Sequence, residues 1–142
     1  AKRVGNQSVA VVLDVKKRRF GSKYEVYTHN GTQATGLIAA DFVKKCESLG
    51  AGEIVINSID HDGTMSGYDH KLIEQVCSAV SIPVTALGGA ASLADMSSLV
   101  DQFEPIGVAA GSLFVFKGRY RAVLINYPDQ IERDEVVIRK RN

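Results

Sequence analysis

The sequence predicts an α/β fold of four parallel βα units, half of a (βα)8 TIM-type barrel, in a single domain over residues 1–142. Three observations predict it. Four apolar, β-branched runs lack polar alternation, as strands covered on both faces require. Each run ends in Asp, Gly or Ser and leads into a stripe of helical period, the pattern of strands joined by crossover helices. Such crossovers are right-handed, which leaves an open sheet or part of a barrel. Finally, 142 residues suffice for one core but not for a complete barrel, which takes ~250. The chain therefore reads as a fragment of a protein about that long. Four parallel strands alone leave two edges and an apolar inner face, so a missing half or a second copy of the chain is expected to cover them.

The elements follow in order. Val9-Ala10-Val11-Val12-Leu13 is the first strand and ends at Asp14. Tyr24-Glu25-Val26-Tyr27-Thr28 alternates and precedes an Asn30-Gly31 turn, which predicts a hairpin-like insertion within 16–36. Ile38, Phe42, Cys46 and Leu49 form one stripe, so a helix is predicted over 37–49, stopped by Gly50 and Gly52. The second strand is 53–58, and Leu72, Val76 and Val80 mark a helix over 69–80. The third strand, 83–87, runs into Gly88-Gly89. Ser92 is the predicted N-cap of a helix over 93–102, with Asp95 in its first turn. The fourth strand is 106–110, followed by Gly111-Ser112 and a short helix over 113–117. Residues 120–126 are β-rich, Tyr127-Pro128 breaks the pattern, and 129–135 reads as one weak helix.

Composition narrows the function. A 45% apolar and 23% charged chain with net charge +1 offers no electrostatic case for nucleic acid or a membrane surface. The basic ends, Lys2-Arg3 and Arg139-Lys140-Arg141, read as solvated termini. Cys46 and Cys77 fall on apolar helix faces and read as small buried hydrophobes. No apolar run approaches a membrane span and no signal peptide opens the chain, so a cytoplasmic location is expected.

The chemistry concentrates in Asn57-Ser58-Ile59-Asp60-His61-Asp62-Gly63-Thr64-Met65-Ser66-Gly67-Tyr68-Asp69, which leaves the second strand and enters its helix. A barrel meets its substrate at the carboxyl ends of its strands. On extended backbone Asp60 and Asp62 face one side, where mutual repulsion favours proton transfer. Asp-x-Asp-Gly is also plain turn chemistry, or part of a calcium loop. The other oxygen ligands of such a loop are missing, and no metal is expected. His61, His29 and His70 read as outward residues. Gly63, Gly88-Gly89 and Gly111-Ser112 each lie between a strand end and a helix start, where backbone N–H groups can cradle phosphate. Each alone could be an ordinary turn.

Five blocks in one order carry a resemblance: Val12-Leu13-Asp14-Val15-Lys16, Glu25-Val26-Tyr27-Thr28-His29, Gly50-Ala51-Gly52-Glu53-Ile54, Asp60-His61-Asp62-Gly63-Thr64 with Ser66-Gly67-Tyr68-Asp69, and Leu87-Gly88-Gly89-Ala90. Over residues 7–117 the chain resembles the carboxyl-terminal half of the cyclase subunit of imidazole glycerol phosphate synthase, the HisF family of histidine biosynthesis. The resemblance implies a (βα)8 barrel of two similar halves in which 9–14 is the fifth strand and 106–110 the eighth. It also implies ammonia delivered from a glutaminase (HisH-type) partner to a bis-phosphorylated ribulosyl substrate. The products would be imidazole glycerol phosphate and an aminoimidazole carboxamide ribotide, formed without a cofactor. Asp14 matches the family's general acid, whose partner base ends the first strand of the absent half. Glu53 matches a charged ring that gates ammonia at the other end of the barrel. The isolated fragment is accordingly expected to be inactive. The tail from Phe114 to Pro128, Lys16-Lys17 and residues 27–32 are similar instead to WbuZ-like paralogues of surface-polysaccharide gene sets, associated with amidation of sugars. A non-catalytic glutaminase-docking module is the rival from another class.

Overall fold

The computed structural model describes residues 5–118 and 120–138, so the basic ends of the chain lie outside the described residues. Its main sheet has the order β3 (Gln33–Ile38), β2 (Tyr24–Thr28), β1 (Ala10–Lys17), β4 (Glu53–Ser58), β5 (Val84–Leu87), β6 (Gly107–Val108). Four strands are parallel: β1 (Ala10–Lys17), β4 (Glu53–Ser58), β5 (Val84–Leu87) and β6 (Gly107–Val108). The inserted hairpin, β2 (Tyr24–Thr28) and β3 (Gln33–Ile38), continues the sheet antiparallel beyond β1. Its turn at residues 29–32 holds His29 and Asn30 at φ 53° and 55°, the left-handed region that asparagine tolerates best after glycine.

Helix α1 (Ala39–Ser48) starts later than its apolar stripe suggests, because the residues before it pair with β2, Ile38 opposite Glu25 and Ala34 opposite Tyr27. It ends in a Schellman motif. Gly50 N–H donates to the Glu47 carbonyl at 2.9 Å and Ala51 N–H to the Cys46 carbonyl at 3.0 Å, satisfying two end carbonyls. Asp69 caps α2 (His70–Cys77) by accepting from Leu72 N–H at 3.1 Å, so the helix starts where its pattern does. It stops short of Val80, because 78–80 tighten into a turn with Ala79 N–H on the Val76 carbonyl. In α3 (Leu93–Phe103), Ser92 Oγ accepts from Asp95 N–H at 3.1 Å, while the Asp95 carboxylate accepts from Ala91 N–H at 3.0 Å. That exchange satisfies two donors at the helix entrance.

The tail departs most from the sequence pattern. The predicted 106–110 strand pairs only over Gly107–Val108, and α4 (Ser112–Val115) gives way at Phe116 to a small hairpin, β7 (Phe116–Lys117) and β8 (Ala122–Val123). The chain then returns along α4, with Leu124 N–H on the Val115 carbonyl and Asn126 N–H on the Phe114 carbonyl. Helix α5 (Gln130–Ile138) buries Val136 in the cluster that includes Met96 and Leu99 of α3.

The core lies on one face of the sheet. Leu13, Val15, Ile54, Ile56 and Val84 point to the helices and pack with Val43, Leu72 and Val76. The opposite face carries Val12, Asp14, Val55, Asn57, Thr85 and Leu87, aligned by the register Val12–Val55–Thr85 and Asp14–Asn57–Leu87. Val12 there is 64% exposed. The strands are therefore buried on one face rather than two, and the open face is the inner wall of half a (βα)8 barrel.

Candidate active site

Asp14 stands near the carboxyl end of β1 on the open face, and its parallel neighbour on β4 is Asn57. Asn57 Nδ2 donates to Asp14 Oδ1 at 2.9 Å. A carboxylate only accepts, so this bond fixes the amide's orientation and turns Asn57 Oδ1 away from Asp14. That oxygen is buried without a hydrogen-bond partner among the described residues. It faces Gly88, where an added Cβ would lie 2.7 Å from it. Asn57 heads the segment that carries the chemistry, yet the sequence pattern gives it no role of its own. Its signal was its place at the end of an apolar strand, which becomes informative only once β1 and β4 are known to be adjacent and in register.

Directly after β4 the chain turns. His61 N–H and Asp62 N–H both donate to the Ser58 carbonyl, at 3.1 and 2.8 Å. Asp60 and Asp62 therefore sit on a tight turn and not on the extended backbone that would aim both carboxylates to one side. Asp60 ties this turn to β1: its Oδ2 accepts from Lys17 N–H at 3.0 Å, and its Oδ1 lies 3.8 Å from Lys16 Nζ. Asp62 is exposed at the tip. His61 is half-buried, not outward. Its Nδ1 is 2.7 Å from the Gly67 carbonyl oxygen and its Nε2 is 3.9 Å from Asp69 Oδ2. His70 is exposed on α2 beside Gln102 of α3, and His29 is exposed in the hairpin turn, as their patterns suggest.

The glycine turns meet at this end of the sheet. Gly67 N–H donates to the Gly89 carbonyl at 2.8 Å, and an added Cβ at Gly89 would lie 2.9 Å from His61 Cβ. Ser112 Oγ lies 4.0 Å from the Cβ position of Gly63, which brings Gly111-Ser112 alongside the turn after β4. Tyr68 closes the third side, its hydroxyl donating to the Ala109 carbonyl at 2.8 Å. The loops after β4, β5 and β6 thus form one rim beside Asp14. Glu53 is at the other end, the first residue of β4. Its Oε1 accepts from Thr85 Oγ1 at 2.7 Å beside a recess of about 570 Å³ that Pro83, Phe103 and Pro105 help to line.

Two tyrosines lock the rim from behind. Tyr24 of the inserted hairpin donates from its hydroxyl to Asp69 Oδ1 at 2.8 Å. Burial, then that bond, raises its phenol pKa; burial and the charge of Asp95 raise that of Tyr68. Above the ordinary phenol value of 10.0 the unfolded chain releases these protons while the native state keeps them. Stability is therefore full below pH 10 and falls as pH rises beyond it. The urea midpoint should begin to fall near pH 10.0 and keep falling as pH rises further, less steeply in Tyr24→Phe; an unchanged slope would sever this link. Burial also pushes the Cys46 and Cys77 thiols up, in keeping with their packing against the core.

Among the described residues no three His, Cys, Asp or Glu side chains are grouped as a metal would need, and no helix is long and apolar enough to cross a membrane. What the rim offers is one oriented carboxyl group beside backbone turns and a hydroxyl suited to an anion.

Comparison with known proteins bears on the same residues. The chain is 51% identical over 137 residues to a Vibrio vulnificus protein named "Putative imidazole glycerol phosphate synthase subunit hisF3", covering 96% of this chain and 53% of that protein. A Leptospira interrogans protein named "Putative imidazole glycerol phosphate synthase subunit HisF" is 49% identical over 92% of this chain and 52% of its own length. "Imidazole glycerol phosphate synthase subunit HisF" of Lactococcus lactis subsp. cremoris (strain SK11) is 44% identical over 80% of this chain and 44% of its own. The chain spans about half the length of the curated relatives it matches. The family model described as "Histidine biosynthesis protein" matches residues 1–121, which include all four parallel strands and the three rim loops. This chain belongs to that histidine biosynthesis protein family.

Proposed function

We propose that this chain is the carboxyl-terminal half of a cyclase-type barrel that uses ammonia to build imidazole glycerol phosphate from a bis-phosphorylated ribulosyl precursor. The observation that carries the reading is Asp14, held by Asn57 on the open sheet face beside the glycine rim. Asp14 acts as general acid in imine formation and ring closure, steps that each move a proton. Asp62, exposed on the turn after β4, is the second candidate for proton transfer, and Asp60 positions that turn through Lys16 and Lys17. Gly63, Gly88, Gly89, Gly111 and Ser112 receive a substrate phosphate. Glu53 gates ammonia arriving from a glutaminase subunit at the far end, and the reaction runs in the cytoplasm. The complementary general base and the cover for the exposed Val12 face come from the rest of the barrel. A second copy of the chain is the other candidate cover.

The test is turnover. The full-length protein, given an ammonium salt and the ribulosyl substrate, should form imidazole glycerol phosphate, whereas the 142-residue chain alone should not. Normal turnover by the chain alone would remove the need for a second half. A full-length protein that stimulates a glutaminase but forms no product would instead be a docking module.

A second reading is favoured by the tail. The relatives with "putative", hisF2 or hisF3 names match over 129–137 residues, those named simply HisF over 114–120. In this reading the chain belongs to a branch acting on a different substrate, such as a surface-polysaccharide sugar that receives the ammonia. Turnover of an amidated sugar precursor without imidazole glycerol phosphate would select it.

A further inference from the structure

The β7–β8 hairpin places a cation at the rim. Arg121 Nη2 donates to the Gly63 carbonyl oxygen, across 58 residues of sequence. Its position is constrained three ways. Its backbone closes the hairpin, with N–H on the Gly118 carbonyl at 3.0 Å and φ 49°. Its guanidinium lies over the Phe116 ring, 5.4 Å from the centroid, within cation–π range. And Gly63, which it grips, lies beside Ser112 Oγ. Two other cations on this side of the sheet have partners of their own: Lys16 faces Asp60, and Arg18 pairs with Glu25 at 2.8 Å on the inserted hairpin.

We propose that Arg121 is a phosphate-binding residue, clamping over the mouth formed by Gly63 and Ser112 the phosphate group of a small phosphorylated substrate. One of its five donors holds the Gly63 carbonyl, which leaves the rest of a planar fork suited to phosphate. The turn's own bonds engage the N–H groups of His61, Asp62 and Thr64, and among the described residues none engages that of Gly63. Backbone donor, hydroxyl and guanidinium thus approach one place from three segments. The family model stops at residue 121, and the relatives named simply HisF match over fewer residues than the hisF3 relative. The hairpin therefore lies where the shared family pattern ends, which suits a residue that sets substrate preference within the family.

This inference rests on the phosphate role given to the rim, and the experiment separates the two. All three rim loops belong to this chain, so inorganic phosphate can be titrated into it directly, with affinity read from the amide signals of Gly63, Gly111 and Ser112. Wild type should bind saturably at those amides. Arg121→Ala should weaken binding about tenfold or more, the loss typical of a charge-assisted bond, and Arg121→Lys should recover part of it. Arg133→Ala, which removes an arginine lying over Tyr127 in the tail, is the control for general charge and should leave the affinity unchanged. Equal affinity in wild type and Arg121→Ala overturns the role of Arg121 and leaves the phosphate rim standing. Equal weakening in Arg121→Ala and Arg133→Ala also overturns it, by reducing it to net charge. Wild type without saturable binding at those amides overturns both readings.

Discussion

Asp14→Asn in the full-length protein is expected to lower kcat for ring closure by about 10²–10⁴-fold, the range of a lost general acid, with little change in KM. The substitution is nearly isosteric, and Asn57 Nδ2 can still donate to a side-chain oxygen in the place of Asp14 Oδ1. An amide in that position has no acidic proton to deliver. Binding of substrate phosphates at the glycine rim and the fold of β1 should survive, so the loss falls on kcat and the unfolding free energy stays within about 0.5 kcal/mol of wild type. Steady-state kinetics with ammonium salt measure the first quantity and denaturation the second. Unaltered cyclisation would remove Asp14 from the chemistry. Lost cyclisation with intact stimulation of the glutaminase would separate chemistry from docking. Asn57→Leu supplies the complementary case. It keeps the acid but removes its positioning bond, so kcat should fall less than in Asp14→Asn while KM stays near wild type.

The parallel strands were legible because each is a short apolar block bounded by unmistakable punctuation. Glu53–Ser58 lies between Gly52 and the Asp60-His61-Asp62-Gly63 turn, and the predicted limits hold. Ser92 and Asp69 cap their helices through side chains that sequence displays directly. What sequence concealed was pairing. Leu37 and Ile38 continue the helical stripe of α1, yet the antiparallel ladder with β2 holds Gln33–Ile38 extended. The spacing of Asp60 and Asp62 suggests extended backbone, although two N–H groups share the Ser58 carbonyl and bend the chain at once. His61 looks outward in the sequence because nothing local shows that Gly67 and Asp69 fold back on it. Asn57 and Arg121 have the same explanation. Their partners, Asp14 and Gly63, are 43 and 58 positions away, a separation that only the sheet order and the tail hairpin close.

The rim's rigidity can be weighed through its glycines. Gly89→Ala should destabilise the chain by on the order of 3 kcal/mol. Two costs coincide. Gly89 has φ 103°, a conformation an L side chain rarely adopts, and its Cβ would lie 2.2 Å from the Gly67 carbonyl oxygen. That oxygen belongs to backbone that cannot swing aside, because His61 Nδ1 lies 2.7 Å from it and Gly67 N–H is bonded to the Gly89 carbonyl. Two neighbours separate the costs. Gly67→Ala carries strain at φ 96° with nothing within 4 Å of the new methyl, so about 1 kcal/mol is expected. Gly111→Ala has φ −106° and open space, and should stay within about 0.5 kcal/mol of wild type. Urea midpoints at constant m-value rank the three. If Gly89→Ala matched Gly67→Ala, the loops after β4 and β5 would be free to part, and a rim able to open that easily could not hold the carboxyl group of Asp14 and a phosphate in one fixed geometry.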